Sequence, residues 1–258
     1  MSIGLALSGG GIRGIAHIGV IKALEEHDIH PTHIAGTSAG AIVGALYARG
    51  ASWKEIYEFF ENTQIFSIKN FARGKPGFVD AEKFYDHFRS YFTEDSFKAL
   101  AKPLFVTATD ILNGSLKVFR NGELIRPLLA SAAFPGLFAP IKVGDGYYAD
   151  GGILNNFPVD VIKPYCDQVI GVYANSFNKV DIAELKHSYD IMERAYKIRM
   201  SKDALAKFKD CSLVISPKNL SRFSTFSKKD MRVIFEIGHQ AAHQALRTFN
   251  PPMPYGIH

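Results

Sequence analysis

The sequence predicts an α/β fold in which helices cover a largely parallel sheet. Short apolar runs alternate with longer segments whose apolar residues recur at helical spacing, as in βαβ units. The 258 residues fit one large α/β domain, and no repeat, low-complexity tract or Gly/Ser-rich linker divides them. We therefore expect a single domain over residues 1–258.

The first elements of this fold follow directly from the pattern. Ile3 to Leu7 is an apolar run that predicts the first strand, and Ile15 to about His27 has helical periodicity. A short strand, Thr32 to Ala35, leads into Gly36-Thr37-Ser38-Ala39-Gly40. Ala41 to Ala48 is apolar on nearly every side, which predicts a buried helix.

Phenylalanine is concentrated between Trp53 and Leu100, a stretch that holds nine of the 20 in the chain. One interpretation has these side chains covering one face of the sheet. The other makes them a lid or a wall around an apolar ligand. Within the stretch, Arg73-Gly74-Lys75-Pro76-Gly77 is predicted to be the most mobile loop.

Beyond residue 100 the alternation of strands and helices continues. Buried strands, turns and helices are predicted from apolar runs, Asn-Gly or Asp-Gly pairs and helical spacing. The predicted elements are, in order, a strand at Leu104 to Thr109, a hairpin at Asn113-Gly114, a helix from about Leu124 to near Phe134-Pro135-Gly136, a turn at Asp145-Gly146 into Tyr147-Tyr148-Ala149, a strand at Val169 to Ala174, a helix at Ile182 to Lys209, a strand at Leu213 to Ile215 and a helix at Lys228 to Thr248.

Composition excludes several classes of protein. The formal charge is only +5 and no block of like charges occurs, so the sequence does not predict a nucleic-acid partner. Cys166 and Cys211 are too few and too isolated for a disulfide framework or a Cys-x-x-Cys metal site, and we expect two reduced, packed thiols. No run of about 18 apolar residues and no secretory leader is recognisable, so we expect a cytoplasmic protein.

Basic residues gather in the last third of the chain. They predict either a solvated helical face or a patch that steers the protein toward an anionic membrane, which would place it peripherally at the inner membrane face. The residues are Lys197, Arg199, Lys202, Lys207, Lys209, Lys218, Arg222, Lys228, Lys229 and Arg232.

A glycine loop follows the first predicted strand. Gly9-x-Gly11-x-x-Gly14 opens a helix, which is also the context of a dinucleotide-binding fingerprint. That fingerprint requires an acidic residue at the end of the second strand, but Asp28 precedes the strand and a glycine and a serine follow it. We therefore interpret the loop as an anion site whose backbone N–H groups face a phosphate or a transient oxyanion.

A second motif follows the second predicted strand. Gly36-x-Ser38-x-Gly40 places a serine on a strand-to-helix turn, the context of a nucleophile elbow, where only very small flanking residues permit the bend. A nucleophilic serine needs a base. The residues leave two choices open: a triad of Ser38, Asp150 and either His239 or His243, or a dyad in which Asp150 itself takes the proton.

Four segments together resemble, in order, the sequence blocks of the patatin-like phospholipase family, in its short bacterial single-domain form. They are Ser8-Gly9-Gly10-Gly11-Ile12-Arg13-Gly14, Gly36-Thr37-Ser38-Ala39-Gly40, Ser131-Ala132-Ala133-Phe134-Pro135 with Phe138 and Pro140, and Asp150-Gly151-Gly152. The blocks span about residues 3 to 160. Two positions depart from the family pattern: Ser8, where plant members have Asp, and Ala133, where many members have a second serine.

The resemblance implies a three-layer α/β/α sandwich and a Ser-Asp dyad without histidine. By position, Ser38 would be the nucleophile and Asp150 the general base. Gly9, Gly10 and Gly11 would form the oxyanion hole, and Arg13 would support that loop or meet a lipid phosphate. The other motif glycines are Gly14, Gly36, Gly40, Gly151 and Gly152, and no metal ion, calcium or other cofactor is implied.

The function expected from these observations is hydrolysis of a lipid acyl ester through an acyl-enzyme, of the phospholipase A or lysophospholipase type. The partners expected are a lipid or acyl-ester substrate and a peripheral membrane contact; no oligomeric state is predicted. Two alternatives stay open: an esterase with a Ser-Asp-His triad, and a lipid-binding or regulatory protein without turnover.

Overall fold

A computed structural model describes residues 1–63, 84–175, 179–185, 187–225 and 227–249. Three of the phenylalanines discussed above, Phe66, Phe71 and Phe78, and the predicted loop Arg73 to Gly77 lie outside the described residues. The prediction of one domain over residues 1–258 stays a prediction.

One twisted sheet of eight strands organises the described part of the chain. The strands are β1 Ile3–Leu7, β2 His33–Thr37, β3 Leu104–Asp110, β4 Ser115–Phe119, β5 Ile141–Val143, β6 Gly146–Asp150, β7 Gln168–Val172 and β8 Leu213–Ile215. Five of them run parallel in the order β3-β2-β1-β7-β8. β4 and β6 pair antiparallel with β3, and β5 pairs antiparallel with β6.

Helices cover both faces of this sheet. They are α1 Ile15–Glu26, α2 Ala39–Ala48, α3 Trp53–Asn62, α4 Tyr85–Arg89, α5 Ile125–Ser131, α6 Gly152–Asn155, α7 Val159–Ile162, α8 Ser188–Ala206 and α9 Met231–Leu246. Successive residues of β1 show the two sides: Leu5 and Leu7 join the large core under α1, α2 and α9, whereas Ala6 joins the smaller core under α7 and α8. The predicted three-layer α/β/α sandwich with a mainly parallel sheet is therefore confirmed.

The phenylalanines of the 53–100 stretch that the structure describes belong to the large core. Phe59, Phe60 and Phe88 are fully buried, and the ring of Phe59 contacts the edges of the other two. Phe84, Phe92 and Phe97 belong to the same core. For these residues the interpretation as a cover of the sheet is correct.

Several element ends differ from the predictions: α8 begins at Ser188 rather than Ile182, α9 at Met231 rather than Lys228, and β2 continues to Thr37 rather than Ala35. At two further ends tertiary hydrogen bonds compete with the regular pattern. α5 ends at Ser131 rather than near Phe134, because the carbonyl of Ala133 accepts the N–H of Asp150 at 3.0 Å. β7 ends at Val172 rather than Ala174, whose N–H donates to the hydroxyl of Ser8 at 2.9 Å. The short strand β5 was not predicted.

The described residues contain no helix long and apolar enough to cross a bilayer. Cys166 and Cys211 are free thiols, partly buried against the smaller core, as expected.

Candidate active site

The candidate site lies where two strands end against each other beside β3. β2 runs parallel to β3 and reaches it with Thr37 opposite Thr107. β6 runs antiparallel to β3 on the same side and ends with Asp150 opposite Ala108, the next residue along β3. Since β4 occupies the other side of β3, the carboxyl ends of β2 and β6 meet head to head. This arrangement brings Ser38 and Asp150 to one place although 112 residues separate them.

Ser38 has the backbone geometry of a nucleophile elbow. Its φ is 54° and its ψ is −125°, a strained combination for a residue with a side chain. Gly36 and Gly40 permit the bend, since a Cβ on Gly36 would lie 2.5 Å from the Cα of Ala41 and one on Gly40 would lie 2.5 Å from the carbonyl oxygen of Ser8. The elbow predicted from the sequence is therefore present.

Two threonines of β3 hold both strand ends. The Thr107 hydroxyl lies 2.6 Å from the Thr37 hydroxyl, directly before Ser38, and the Thr37 hydroxyl donates to the carbonyl of Asn155 at 2.8 Å. The Thr109 hydroxyl donates to the carbonyl of Asp150 at 3.0 Å. These buried bonds fix the two backbones relative to each other.

The end of α5 ties the same two residues together from the other side. Ser131 is fully buried, and its Oγ accepts the backbone N–H of Ser38 at 2.8 Å. Its carbonyl accepts the N–H of Gly151 at 3.4 Å, while the carbonyl of Ala133 accepts that of Asp150. The third sequence block therefore bridges the serine and the aspartate.

Asp150 is a buried carboxyl group, only 4% exposed. Burial raises its pKa to about 7, against the opposing effects of the Gly152 N–H, which donates to Oδ1 at 2.7 Å, and of the Ser38 hydroxyl. A carboxylate with a pKa near neutrality accepts protons far better than an exposed one, which suits a general base.

The glycine loop presents two of its three predicted donors. The Gly9 N–H donates to the carbonyl of Asn156 at 3.1 Å, so the prediction that it belongs to an oxyanion hole is wrong for this residue. The N–H groups of Gly10 and Gly11 have no acceptor among the described residues, and both glycines line the pocket that contains Ser38. Gly11 has a φ of 58°, which favours glycine, and a Cβ there would collide with the Thr225 carbonyl.

Arg13 supports this loop through hydrogen bonds of its buried side chain. Its side chain is 3% exposed; Nε donates to the carbonyl of Gly10 at 3.3 Å and a terminal nitrogen lies 3.5 Å from the hydroxyl of Thr225. The Ile12 N–H in turn donates to the carbonyl of Thr225 at 2.9 Å. These contacts favour the loop-supporting role expected of Arg13, whose guanidinium also borders the pocket.

The pocket around Ser38 and Asp150 combines apolar walls with unpaired polar atoms. Three buried side-chain atoms on its wall have no hydrogen-bond partner within the described part of the chain: Asn156 Nδ2, Asn175 Oδ1 and the Tyr196 hydroxyl. The full lining is Gly10, Gly11, Arg13, Ser38, Ala132, Phe134, Asp150, Asn156, Asn175, Glu193, Tyr196, Lys197, Met200 and Thr225. Buried polar atoms are normally paired, so these three are open to a ligand or to water.

The histidines considered as triad members lie elsewhere. His239 and His243 bond to Glu26 at 2.7 and 2.8 Å on the α1–α9 surface, and no histidine is among the lining residues of the Ser38 pocket. His17 is buried, burial lowers its pKa to about 4, and its Nε2 donates to the carbonyl of Ser8 at 2.8 Å. It therefore supports the glycine loop as a neutral side chain.

The remaining motif glycines all occupy crowded positions. A Cβ at any of them would meet another atom at less than 3.0 Å: Gly9, Gly14, Gly151 and Gly152.

Several lining residues could not be predicted from the sequence. Asn156, Asn175 and Tyr196 lie outside the four sequence blocks, and only the fold brings them to the pocket. Ser131 belongs to the third sequence block, but its bond to the Ser38 N–H does not follow from the sequence. The signal that identifies the first three is structural: a buried polar atom without a partner.

The sequence is similar to a known family and to several known proteins. A family model described as patatin-like phospholipase matches residues 5–163. An uncharacterised NTE family protein of Mycobacterium tuberculosis is 37% identical over 162 residues, covering 61% of this chain and 44% of that protein. Lysophospholipase NTE1 of Debaryomyces hansenii is 32% identical over 168 residues, covering 63% of this chain and 11% of that protein. The chain thus matches less than half the length of these relatives.

Solved structures resemble the fold at low sequence identity. VipD from Legionella pneumophila has a TM-score of 0.59 and 17% identity, covering 96% of this chain and 66% of that one. The type III effector ExoU has a TM-score of 0.50 and 18% identity, covering 95% of this chain and 53% of that one. Both likenesses concern the fold.

The raised pKa of Asp150 predicts how Asp150→Asn changes stability with pH. Below about pH 3 the carboxyl is neutral in both the folded and unfolded states, because its unfolded pKa is 3.8. As the pH rises toward 7 only the unfolded state ionises, so wild-type stability falls; above the folded pKa the full cost is present. Because asparagine stays neutral and can still accept the Gly152 N–H, the variant should gain free energy of unfolding relative to wild type, reaching about 4 kcal/mol above pH 7.

Urea unfolding at pH 4, 5.5, 7 and 8 measures this difference. Asp145→Asn, in the exposed β5–β6 turn, serves as the control and should show no such slope. A constant difference between Asp150→Asn and wild type across the range would contradict the raised pKa.

Proposed function

Because the chain belongs to the patatin-like phospholipase family, we propose that it hydrolyses fatty-acyl esters of lipids, with Ser38 as nucleophile and Asp150 as general base. The observation that carries the proposal is one pocket shared by the strained serine, the buried aspartate and the N–H groups of Gly10 and Gly11, which have no acceptor in the described part of the chain.

In the first step, the Ser38 hydroxyl proton moves to the Asp150 carboxylate as Oγ bonds to the ester carbonyl carbon. The carbonyl oxygen becomes negatively charged and accepts the N–H groups of Gly10 and Gly11, with the positive end of the turn at Gly11–Gly14 behind them. Asp150 then returns its proton to the alcohol oxygen as the ester C–O bond breaks, which leaves Ser38 acylated.

The second step uses the same groups with water as nucleophile. Asp150 takes a proton from the water, the hydroxide attacks the acyl carbon, and Gly10 and Gly11 again accommodate the oxyanion. The proton returns to Ser38 Oγ as the fatty acid leaves. No histidine enters the scheme, in keeping with the bonds of His239 and His243 to Glu26 rather than to this pocket.

The pocket walls suit an ester with an apolar chain and polar substituents. Ala132, Phe134 and Met200 supply apolar surface. The Tyr196 hydroxyl, Asn156 Nδ2 and Asn175 Oδ1, which bond to none of the described residues, supply hydrogen bonds to the polar part of the substrate. A phospholipid, a lysophospholipid or another acyl ester meets these requirements.

We further propose that α8 brings this pocket to a membrane surface. One face of the helix lines the pocket through Tyr196 and Met200. The opposite face exposes Ile191, Ile198 and Leu205, spaced seven residues apart, with exposed fractions of 56, 52 and 54%. Basic side chains flank this stripe at Arg194, Arg199 and Lys202, a composition that fits the interface of an anionic bilayer.

Several of the basic residues predicted to form a patch are accessible in the described part of the chain. Lys197, Lys207 and Arg199 form ion pairs with Glu193, Asp160 and Asp203, which reduces their contribution. Lys202, Lys209, Lys229 and Arg232 are exposed. We propose that these basic residues contact an anionic membrane surface such as the inner face of the cytoplasmic membrane.

Substitution at the two central residues tests the chemistry. With p-nitrophenyl esters and with lysophospholipid, Ser38→Ala and Asp150→Asn should each lower kcat by at least about 1,000-fold, because each removes a group needed for every turnover. Ser115→Ala and Asp145→Asn change exposed residues that do not line the pocket, and as matched controls they should keep wild-type rates. Full activity in Asp150→Asn together with inactive His239→Ala or His243→Ala would favour the triad, and equal rates in all variants would refute the catalytic proposal.

Vesicle binding tests the role of α8. In a Ser38→Ala background, which prevents turnover, the protein should co-sediment with vesicles of anionic phospholipid, and the double change Ile198→Asp and Leu205→Asp should abolish this binding. Leu112→Asp changes a leucine of the β3–β4 hairpin that is more exposed than Leu205 and lies outside α8, and this variant should still bind. Unchanged binding by the double variant would reject α8 as the contact surface.

A further inference from the structure

We propose that Glu26, His239 and His243 form a binding site for a divalent transition-metal ion, with Zn²⁺ the ion that the ligands fit best. The site lies between the end of α1 and the middle of α9, away from the Ser38 pocket. It does not depend on the proposed hydrolase function.

Three ligand atoms converge on one point. His239 Nε2 and His243 Nε2 lie 2.7 and 2.8 Å from Glu26 Oε2, and 3.1 Å from each other. Two ligands of a tetrahedral Zn²⁺ lie about 3.3 Å apart, given Zn–N and Zn–O distances near 2.0–2.1 Å. Each pair therefore needs to separate by only a few tenths of an ångström to form one triangular face of such a site.

The backbone already orients these ligands. His239 and His243 stand one helical turn apart on the same face of α9, an i, i+4 spacing that presents two imidazoles to one ion. Two imidazoles and one carboxylate form a donor set that suits zinc, with a fourth position open to solvent because His243 and Glu26 are partly exposed.

Hydrogen bonding alone leaves the cluster poorly satisfied. To donate to Glu26 Oε2, both Nε2 atoms must carry a proton. The two N–H groups then face each other across 3.1 Å with one acceptor oxygen between them. A metal ion takes the lone pairs of both nitrogens instead and removes this repulsion.

Neighbouring groups are arranged as metal sites require. His27 Nε2 lies 2.9 Å from His243 Nδ1, so it can accept a hydrogen bond from the Nδ1–H that His243 carries when its Nε2 binds metal. Lys22 lies 3.6 Å from the other carboxylate oxygen of Glu26, Oε1, and leaves Oε2 to the two histidines.

An ion bound here would link α1 and α9, two helices whose backbones are in close contact. A Cβ on Gly238 would collide with the carbonyl of Ala16, and a Cβ on Gly19 would lie 2.7 Å from the His239 nitrogen. α1 follows directly from the glycine loop, so a metal link between α1 and α9 would also stabilise the position of Gly10 and Gly11. The expected consequence is a more stable folded chain.

Calorimetric titration of chelator-treated protein with ZnCl₂ tests the site. Wild type should bind one equivalent, and excess Zn²⁺ should raise Tm by at least about 3 °C, since an ion that binds only the folded state stabilises it. His243→Ala and Glu26→Gln should each weaken the binding at least about tenfold and remove the rise in Tm. MgCl₂ should produce neither effect, because Mg²⁺ prefers oxygen ligands.

His30→Ala provides the matched control. His30 is an exposed histidine near the cluster in sequence that pairs with Asp28, and its loss should leave the Zn²⁺ affinity unchanged. Circular dichroism of each variant establishes that it is folded before titration. No Zn²⁺ binding by wild type, or equal affinity in wild type and folded Glu26→Gln and His243→Ala, would overturn the proposal.

Discussion

The head-to-head meeting of β2 and β6 alongside β3 is the constraint on which the site depends. Neither strand continues past the other, so each ends in a turn that projects a side chain into the gap. Thr107 and Thr109 of β3 bond to the two strand ends, and Ser131 and Ala133 bond to the backbones of Ser38, Gly151 and Asp150. The relative position of Ser38 and Asp150 is therefore set by the hydrogen bonds that these hydroxyl and carbonyl groups make around the two strand ends.

The same arrangement explains why the site lowers the free energy of unfolding. Ser38 occupies a strained backbone conformation, Asp150 is a buried carboxyl group with a raised pKa, and the Tyr196 hydroxyl has no hydrogen-bond partner among the residues that the structure describes. Each of these features lowers stability, and all three border one pocket. Such a concentration is typical of functional sites, where geometry needed by the ligand is maintained by the surrounding core.

Features that depend on neighbouring residues along the chain could be predicted from the sequence. The elbow at Ser38 follows from glycines two positions away, and the sheet follows from short apolar runs, because both depend on neighbours along the chain. Other features depend on distant partners. The engagement of the Gly9 N–H by Asn156, the bridge through Ser131 and the position of Tyr196 on the pocket wall arise only when separate segments pack together. The observed ends of α5 and β7 differ from the predicted ends for the same reason.

The central claim is that Asp150 takes the proton of Ser38. The most direct test is the rate at which a fluorophosphonate probe labels the protein, followed by mass spectrometry across pH 5 to 9. The account predicts labelling of Ser38 whose rate rises through a single ionisation near pH 7, and a rate at least about 100-fold lower at every pH in Asp150→Asn. Labelling of Asp150→Asn at the wild-type rate, or attachment of the probe to a residue other than Ser38, would contradict it.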